Sequence, residues 1–400
     1  MTLTLLIDLD DTLLSNNMDR FLPAYLKLLG KQLNPYIPAE RMIPQLLSAT
    51  RQMSEKIAPG STLESIFDAG FYPALGADKA DWAEPLATFY QDVFPSLQPL
   101  TQPRPEAVQL VKTAFRRGYQ VVIATNPLFP LQAIHHRLTW AGLSPTEYPF
   151  ALITAFEGFH HAKPHPAYFA EILAQLGWPN QPAVMIGNDL SQDILPAAAI
   201  GLPVFWLSDD EFPQPVPALS KHGQLSEIAD WLEKIDEAQP EMKFEQPAAF
   251  LPVLQSTPGA LCTLTRSLSA PQYQQAPAIN EWSLTEIFCH LRDVEAEVNL
   301  LRVQKILQEE NIFVPGIDSD RWAEERQYNR QDGAQALTDF TQSRTRLLEL
   351  LTTMPPQNWQ RPFRHAIFGP TDLREMMSFI ATHDRTHLQQ VYKTCQAVNV

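Results

Sequence analysis

The sequence predicts two folds in one chain: an α/β unit built on a doubly wound parallel sheet, followed by an all-α four-helix bundle. Three observations carry this expectation. Short apolar runs alternate with amphipathic helical stretches over the first half of the chain, as strand–helix–strand units require. That alternation stops near residue 235, and beyond it apolar residues recur at spacings of three and four. The length of 400 residues also exceeds what one hydrophobic core sustains, since domains run from about 50 to 250 residues. The expected boundaries are 1–235 for the α/β unit, 236–247 for a polar, pattern-poor linker (DEAQPEMKFEQP) and 248–400 for the bundle.

Taken in order, residues 3–7 form a short apolar run that ends at Asp8 and reads as a buried strand with a carboxylate at its carboxyl end. From about residue 17 to 97 the pattern turns helical, with FLPAYLKLLG, ERMIPQLLSATRQM, STLESIFDAG and DWAEPLATFYQDVF each spacing apolar residues by three or four. This block, about 15–100, is inserted into the α/β unit. The alternation then resumes: PEAVQLVKTAFRRG is a helix closed by Gly118, QVVIAT a strand, LQAIHHRLTWAG a helix closed by Gly142, and AVMIG and VFWL further strands. A ligand site belongs at the carboxyl ends of such strands. In the second half, four helices are expected near 257–268, 283–310, 332–352 and 371–394, with no strand signal.

Composition excludes several partners. A formal charge of −15 repels polyanions, and no Lys/Arg-rich run gathers the 30 basic residues into a stripe, so nucleic acid is not expected. No apolar stretch of about 18 residues occurs, and the N-terminal run is too short for a signal peptide, so neither a membrane span nor export is expected. Cys262, Cys289 and Cys395 are too scattered for a disulfide framework, which fits a reducing cytoplasm.

The chemistry-bearing residues cluster where the strands end. Asp8-Leu9-Asp10-Asp11-Thr12 closes the first strand, and alternate residues there aim two carboxylates at one point. Alone, such a pair is most often a turn or a helix cap. Three more elements follow in order: Thr125-Asn126 after VVIA, Lys163-Pro164 in HAKPHP, and GNDLSQD at 187–193 after VMI. With AAAIG at 197–201, the set resembles the four motifs of the haloacid dehalogenase superfamily.

The resemblance implies a phosphatase for a small phosphorylated metabolite. Asp8 matches the nucleophile that forms an aspartyl-phosphate, and Asp10 matches the acid/base that protonates the leaving oxygen and later takes a proton from water. Asp11 matches no role. Thr125, Asn126 and Lys163 match the phosphate-binding positions, Lys163 offsetting the charge of phosphate and nucleophile. Converging carboxylates around a phosphate favour Mg2+, held by Asp8, the backbone carbonyl of Asp10, and Asp189, with Asp193 as ligand or outer partner. Asn188 departs from the family pattern, in which glycine and aspartate are commonly adjacent. Asp10 argues for phosphate rather than dehalogenase chemistry, and the inserted helices match a cap that closes over substrate.

The bundle has its own constellation. His290 lies on one amphipathic stretch, while His383 and His387 stand at i, i+4 on another and so share a helix face. Three imidazoles from two helices can hold Zn2+ or Ni2+ and leave a position open. Isolated histidines at such positions are as often core or surface residues, but W-S-x-x-E-I-x-x-H-L and H-D-x-x-H-L-x-Q, matched here by Trp282, His290, His383, Asp384, His387 and Gln390, resemble the DinB-like family of four-helix bundles. That resemblance implies a metal, with His365 a weaker additional candidate, and leaves the reaction open between thiol transfer and hydrolysis. Two rival readings follow: the bundle as the active domain, or the bundle as a noncatalytic module for homodimerisation.

Overall fold

The computed structural model describes residues 3–55 and 59–398. The chain divides into two compact units, Met1–Ile172 with Pro179–Met242, and Leu173–Trp178 with Lys243–Val400.

The first unit is organised around a parallel six-stranded sheet in the order Leu152–Ile153, Gln120–Ile123, Thr4–Ile7, Ala183–Gly187, Val204–Leu207, Lys221–Gly223. Leu5, Leu6 and Ile7 are fully buried, and their strand pairs with Gln120–Ile123 on one side and Ala183–Gly187 on the other, in register Ile7 to Ile123 and Ile7 to Ile186. The chain therefore leaves the first strand towards one edge, then crosses back to build the other. That switch point lies at the carboxyl end of Thr4–Ile7, immediately before Asp8, where a sheet of this kind places its ligand site. The edge strands Leu152–Ile153 and Lys221–Gly223 have two and three residues, too few to show a strand pattern in sequence.

The helical insertion is present, with helices Met18–Leu33, Ala39–Glu55, Leu63–Leu75 and Lys79–Thr88. Its two ends are stitched by an antiparallel pair, Leu14–Asn16 with Thr101–Pro103. Asn17 caps the first of these helices through the Arg20 N–H, and Gly76, at φ +67°, closes the third.

In the second unit, helix Pro247–Thr265 packs on Leu373–Val398, and Leu284–Asp293 packs on Gly333–Thr353. The stretch predicted at 283–310 runs through Leu284–Asp293, a widened turn at Val294–Asn299, and Leu300–Gln308. The first bundle helix begins ten residues before the predicted 257. Residues 252–261 are buried on every side, so no amphipathic period marks them, and Pro252 and Pro258 interrupt the helical signal further. The expectation of no strand in this half is corrected by a small sheet, Gly369–Asp372 antiparallel to Pro362–His365, which lies parallel to Phe313–Val314. Strands of two to four residues are too short for alternation to be read.

Candidate active site and metal centre

The acidic motif gathers at the sheet's switch point. The Asp8 N–H donates to the Ile186 carbonyl (3.0 Å), which extends the strand pairing into the motif. Lys163 reaches the same point from the loop before helix Pro166–Gln175, donating to Asp8 Oδ1 (2.7 Å) and to Asp193 Oδ1 (2.5 Å). All three side chains are buried. Burial alone would lower the Lys163 ammonium, but Asp193 and Asp8 outweigh it and hold the group well above its usual range. Asp193 is pushed up to about 7, by burial first and then by Asp8, against the opposing pull of Lys163. One ammonium between two buried carboxylates leaves a negative charge uncompensated, which suits a site for a further cation.

Asp193 Oδ2 also accepts the N–H groups of Asn188 (3.2 Å) and Asp189 (3.1 Å). The strand Ala183–Gly187 delivers it there only because position 187 is glycine: a Cβ would come within 2.6 Å of the Asp193 side chain. Asp189 is turned differently. Its carboxylate is exposed and accepts the Ser191 N–H (2.8 Å), the Ser191 hydroxyl (2.8 Å) and the Gln192 N–H (2.9 Å), capping the following turn. The structure thus joins Asp8, Lys163 and Asp193 through their side chains, while Asp189 meets Asp193 through its backbone N–H.

Asp10 is held by two residues that sequence reasoning missed. Asn16 Nδ2 donates to Asp10 Oδ1 (2.8 Å), and the guanidinium of Arg137 pairs with Asp10 Oδ2. Arg137 is buried on helix Leu131–Trp140; burial lowers its guanidinium to about 10, which leaves it cationic at neutral pH. A signal did exist: Arg137 lies on the same helix stripe as Ala133, Ile134 and Leu138, and a cation on an apolar stripe needs a buried partner. Asp11 adopts φ +55° and accepts the Asn16 N–H (2.9 Å), so its work is to turn the chain.

Thr125 is buried, and its carbonyl accepts from Thr154 Oγ1 (2.7 Å) and the Tyr168 hydroxyl (2.7 Å), which fixes the loop after Gln120–Ile123. The neighbouring Asn126 has a buried amide oxygen without a hydrogen-bond partner, an orphan that a protonated ligand oxygen or a water can satisfy. Hard carboxylate oxygens with a buried ammonium and amide groups form a donor set suited to magnesium and a phosphoryl group.

The second site lies within the bundle. Ser283 caps helix Leu284–Asp293 in a reciprocal box with Glu286, which sets where His290 emerges. His383 and His387 come from Leu373–Val398. His290 Nε2 stands 3.3 Å and His387 Nε2 3.1 Å from His383 Nε2. Among the described residues this is the one group of three His, Cys, Asp or Glu side chains whose ligand atoms all lie within 4.8 Å of one another. Burial lowers all three imidazoles, His290 to about 4 and His383 well below its usual range, with His387 and His290 adding repulsion at His383. They are neutral donors at neutral pH, as metal coordination requires. His387 Nδ1 faces Gln390 Oε1 at 2.8 Å, an arrangement that puts the proton on Nδ1 and turns Nε2 to the shared point. The Trp282 ring lies beside His290 with centroids 5.0 Å apart.

Asp384 does not join the histidines. Arg344, fully buried, donates to both its carboxylate oxygens and to both oxygens of Glu295, tying three helical segments together. Arg344 and Glu295 were not found from sequence. His365 is also apart: its Nδ1 accepts the N–H groups of Ile367 (3.2 Å) and Phe368 (3.4 Å), and it lines a cavity of about 180 Å³ that His383 also lines.

Residues 2–201 match the family model for haloacid dehalogenase-like hydrolases, and residues 254–391 that for the DinB superfamily. The chain is 22% identical over 142 residues to the Bacillus subtilis protein YuaE, covering 32% of this chain and 85% of that one. Among solved structures it is similar to a phosphatase of the haloacid dehalogenase class from Thermococcus onnurineus (19% identity, 58% of this chain, 98% of that one, TM-score 0.38). It is also similar to YfiT from Bacillus subtilis, described as a probable metal-dependent hydrolase with an unusual four-helix bundle topology (20% identity, 39% of this chain, 89% of that one, TM-score 0.35).

Proposed function

Because the chain belongs to the haloacid dehalogenase-like hydrolase family and carries a DinB-superfamily bundle, we propose that this hydrolase cleaves a small phosphomonoester, with Asp8 as the phosphoryl acceptor. The observation that carries this reading is the buried Lys163, shared between Asp8 and Asp193, with Asp10 two residues beyond the nucleophile.

Lys163 and the amide groups at Thr125 and Asn126 hold the phosphoryl oxygens, and the Lys163 ammonium donates to the Asp8 carboxylate. An Asp8 oxygen attacks phosphorus while the bond to the ester oxygen breaks, and Asp10 gives that oxygen its proton. Water then attacks the aspartyl-phosphate, Asp10 takes the water's proton, and the Asp8–phosphorus bond breaks to release phosphate. Asp8, the Asp10 carbonyl and Asp189, with Asp193 as ligand or outer partner, would hold magnesium, which would supply charge neutralisation and alignment of the phosphoryl group.

Asp8→Asn removes the nucleophile and a ligand together. Hydrolysis of phosphate esters with magnesium should fall to background in that variant while its circular dichroism stays that of the parent. Parental turnover in Asp8→Asn would refute the mechanism.

A second centre in the bundle is favoured by one further observation: the three imidazole nitrogens meet in a cavity of about 590 Å³, lined also by Asp320, Lys393 and Trp282. Zinc or nickel bound there through His290, His383 and His387 would activate water or a thiol at an open position.

A further inference from the structure

The insertion encloses a cavity of about 580 Å³, walled by Tyr25, Phe67, Phe71 and Tyr90 from its helices and by Phe129 and Phe156 from loops of the α/β unit. Ring contacts run round it, with Phe67 stacked on Phe71 at 4.9 Å and Tyr25 edge-on to Phe129 at 5.3 Å. The polar groups in the wall are largely turned to one another. The Tyr25 and Tyr90 hydroxyls share a hydrogen bond (3.0 Å), and Lys79 is held by Glu64 (2.7 Å) and Asp68 (2.6 Å). Thr50 donates to its own helix, and Glu157 accepts the Leu131 N–H.

This cavity adjoins the side of the active site from which the leaving group departs. Asp10 gives its proton to the leaving oxygen, so the alcohol lies beside Asp10. The two residues holding Asp10 each touch the cavity wall: Asn16 Nδ2 is 3.5 Å from Met18 Sδ, and the Arg137 guanidinium lies over the Phe129 ring at 5.5 Å.

Building on the phosphatase reading, we infer that the preferred ester is the monophosphate of an apolar, ring-sized alcohol, whose hydrocarbon body fills this aromatic cavity. A sugar placed there would meet mostly ring and aliphatic wall, and each buried hydroxyl left unmatched costs on the order of 10-fold or more in binding. Burying a ring instead gains roughly 10- to 100-fold.

The test compares primary alkyl esters of similar intrinsic reactivity on the full-length protein with magnesium: cyclohexylmethyl phosphate, glucose 6-phosphate and ethyl phosphate. The expected order of kcat/KM puts cyclohexylmethyl phosphate at least about 10-fold above glucose 6-phosphate. Phe67→Asn, and independently Leu86→Gln on the same cavity wall should the first fail to fold, should shrink that ratio several-fold, and a ratio unchanged in the folded variant would overturn the inference. Equal or better hydrolysis of glucose 6-phosphate overturns the inference and leaves the phosphatase reading standing. No hydrolysis of any of the three, ethyl phosphate included, overturns the phosphatase reading and the inference with it.

Discussion

Asp10 shows how little a residue's role depends on its identity alone. The carboxylate proposed as acid and base sits between Asn16 and a buried guanidinium, and both fix its orientation. Arg137→Met should leave KM nearly unchanged and lower kcat by roughly 10-fold or more, because positioned proton transfer contributes about 10²–10⁴-fold. Steady-state kinetics with the best ester checks this, and an unaltered kcat would show that Arg137 serves packing only. Asp8, Asp10, Lys163 and Asp193 were legible in the sequence because each follows a strand or opens a helix at a recurring spacing. Arg137 and Asn16 were not, since only the packing of Leu131–Trp140 and the pair Leu14–Asn16 with Thr101–Pro103 brings them to Asp10.

The segment that carries Lys163 is pinned by the helix after it. Glu171, fully buried on Pro166–Gln175, accepts the N–H groups of His160 and His161 and meets both rings at Nδ1 (2.8 and 3.1 Å). Burial alone would raise this carboxyl, but His160 and His161 outweigh it and hold it at about 2, against an ordinary value of 4.5. A carboxyl depressed on folding stabilises the native state fully above its unfolded value, and that contribution is lost as pH falls from about 4.5 towards 2. The contribution is on the order of 3 kcal/mol. Glu171→Gln should therefore lower the melting temperature at pH 7 by several degrees and flatten its decline between pH 4.5 and 2.5. Thermal melts across that range decide the matter, and a variant with the parent's pH profile would contradict it. In the bundle, the histidine spacing was readable because i, i+4 places both rings on one helix face. The Arg344 cluster was not, because its partners Glu295 and Asp384 lie 49 and 40 residues away in sequence.

Across the whole molecule, the two metal sites proposed above differ in chemistry and stand on two units, hard carboxylates in one and neutral imidazoles in the other. Each should load and fail independently. Asp8→Asn should retain a stoichiometric transition metal, and the double variant His383→Ala, His387→Ala should lose it while keeping magnesium-dependent hydrolysis. Elemental analysis and ester hydrolysis on both proteins test this; metal retained in the double variant would point to other ligands. Because burial lowers all three imidazoles, occupancy should persist to a lower pH than at a site of ordinary imidazoles, which protonate near about 6.5. By itself the sequence determined the two fold classes, the order of the acidic motif and the three histidines, because periodicity and strand-end placement are local properties of the chain. Tertiary structure alone decided which carboxylate shares Lys163, what holds Asp10 and Asp384, and that the inserted helices enclose an aromatic cavity. Those depend on residues far apart in sequence meeting in space, and no local pattern encodes such a meeting.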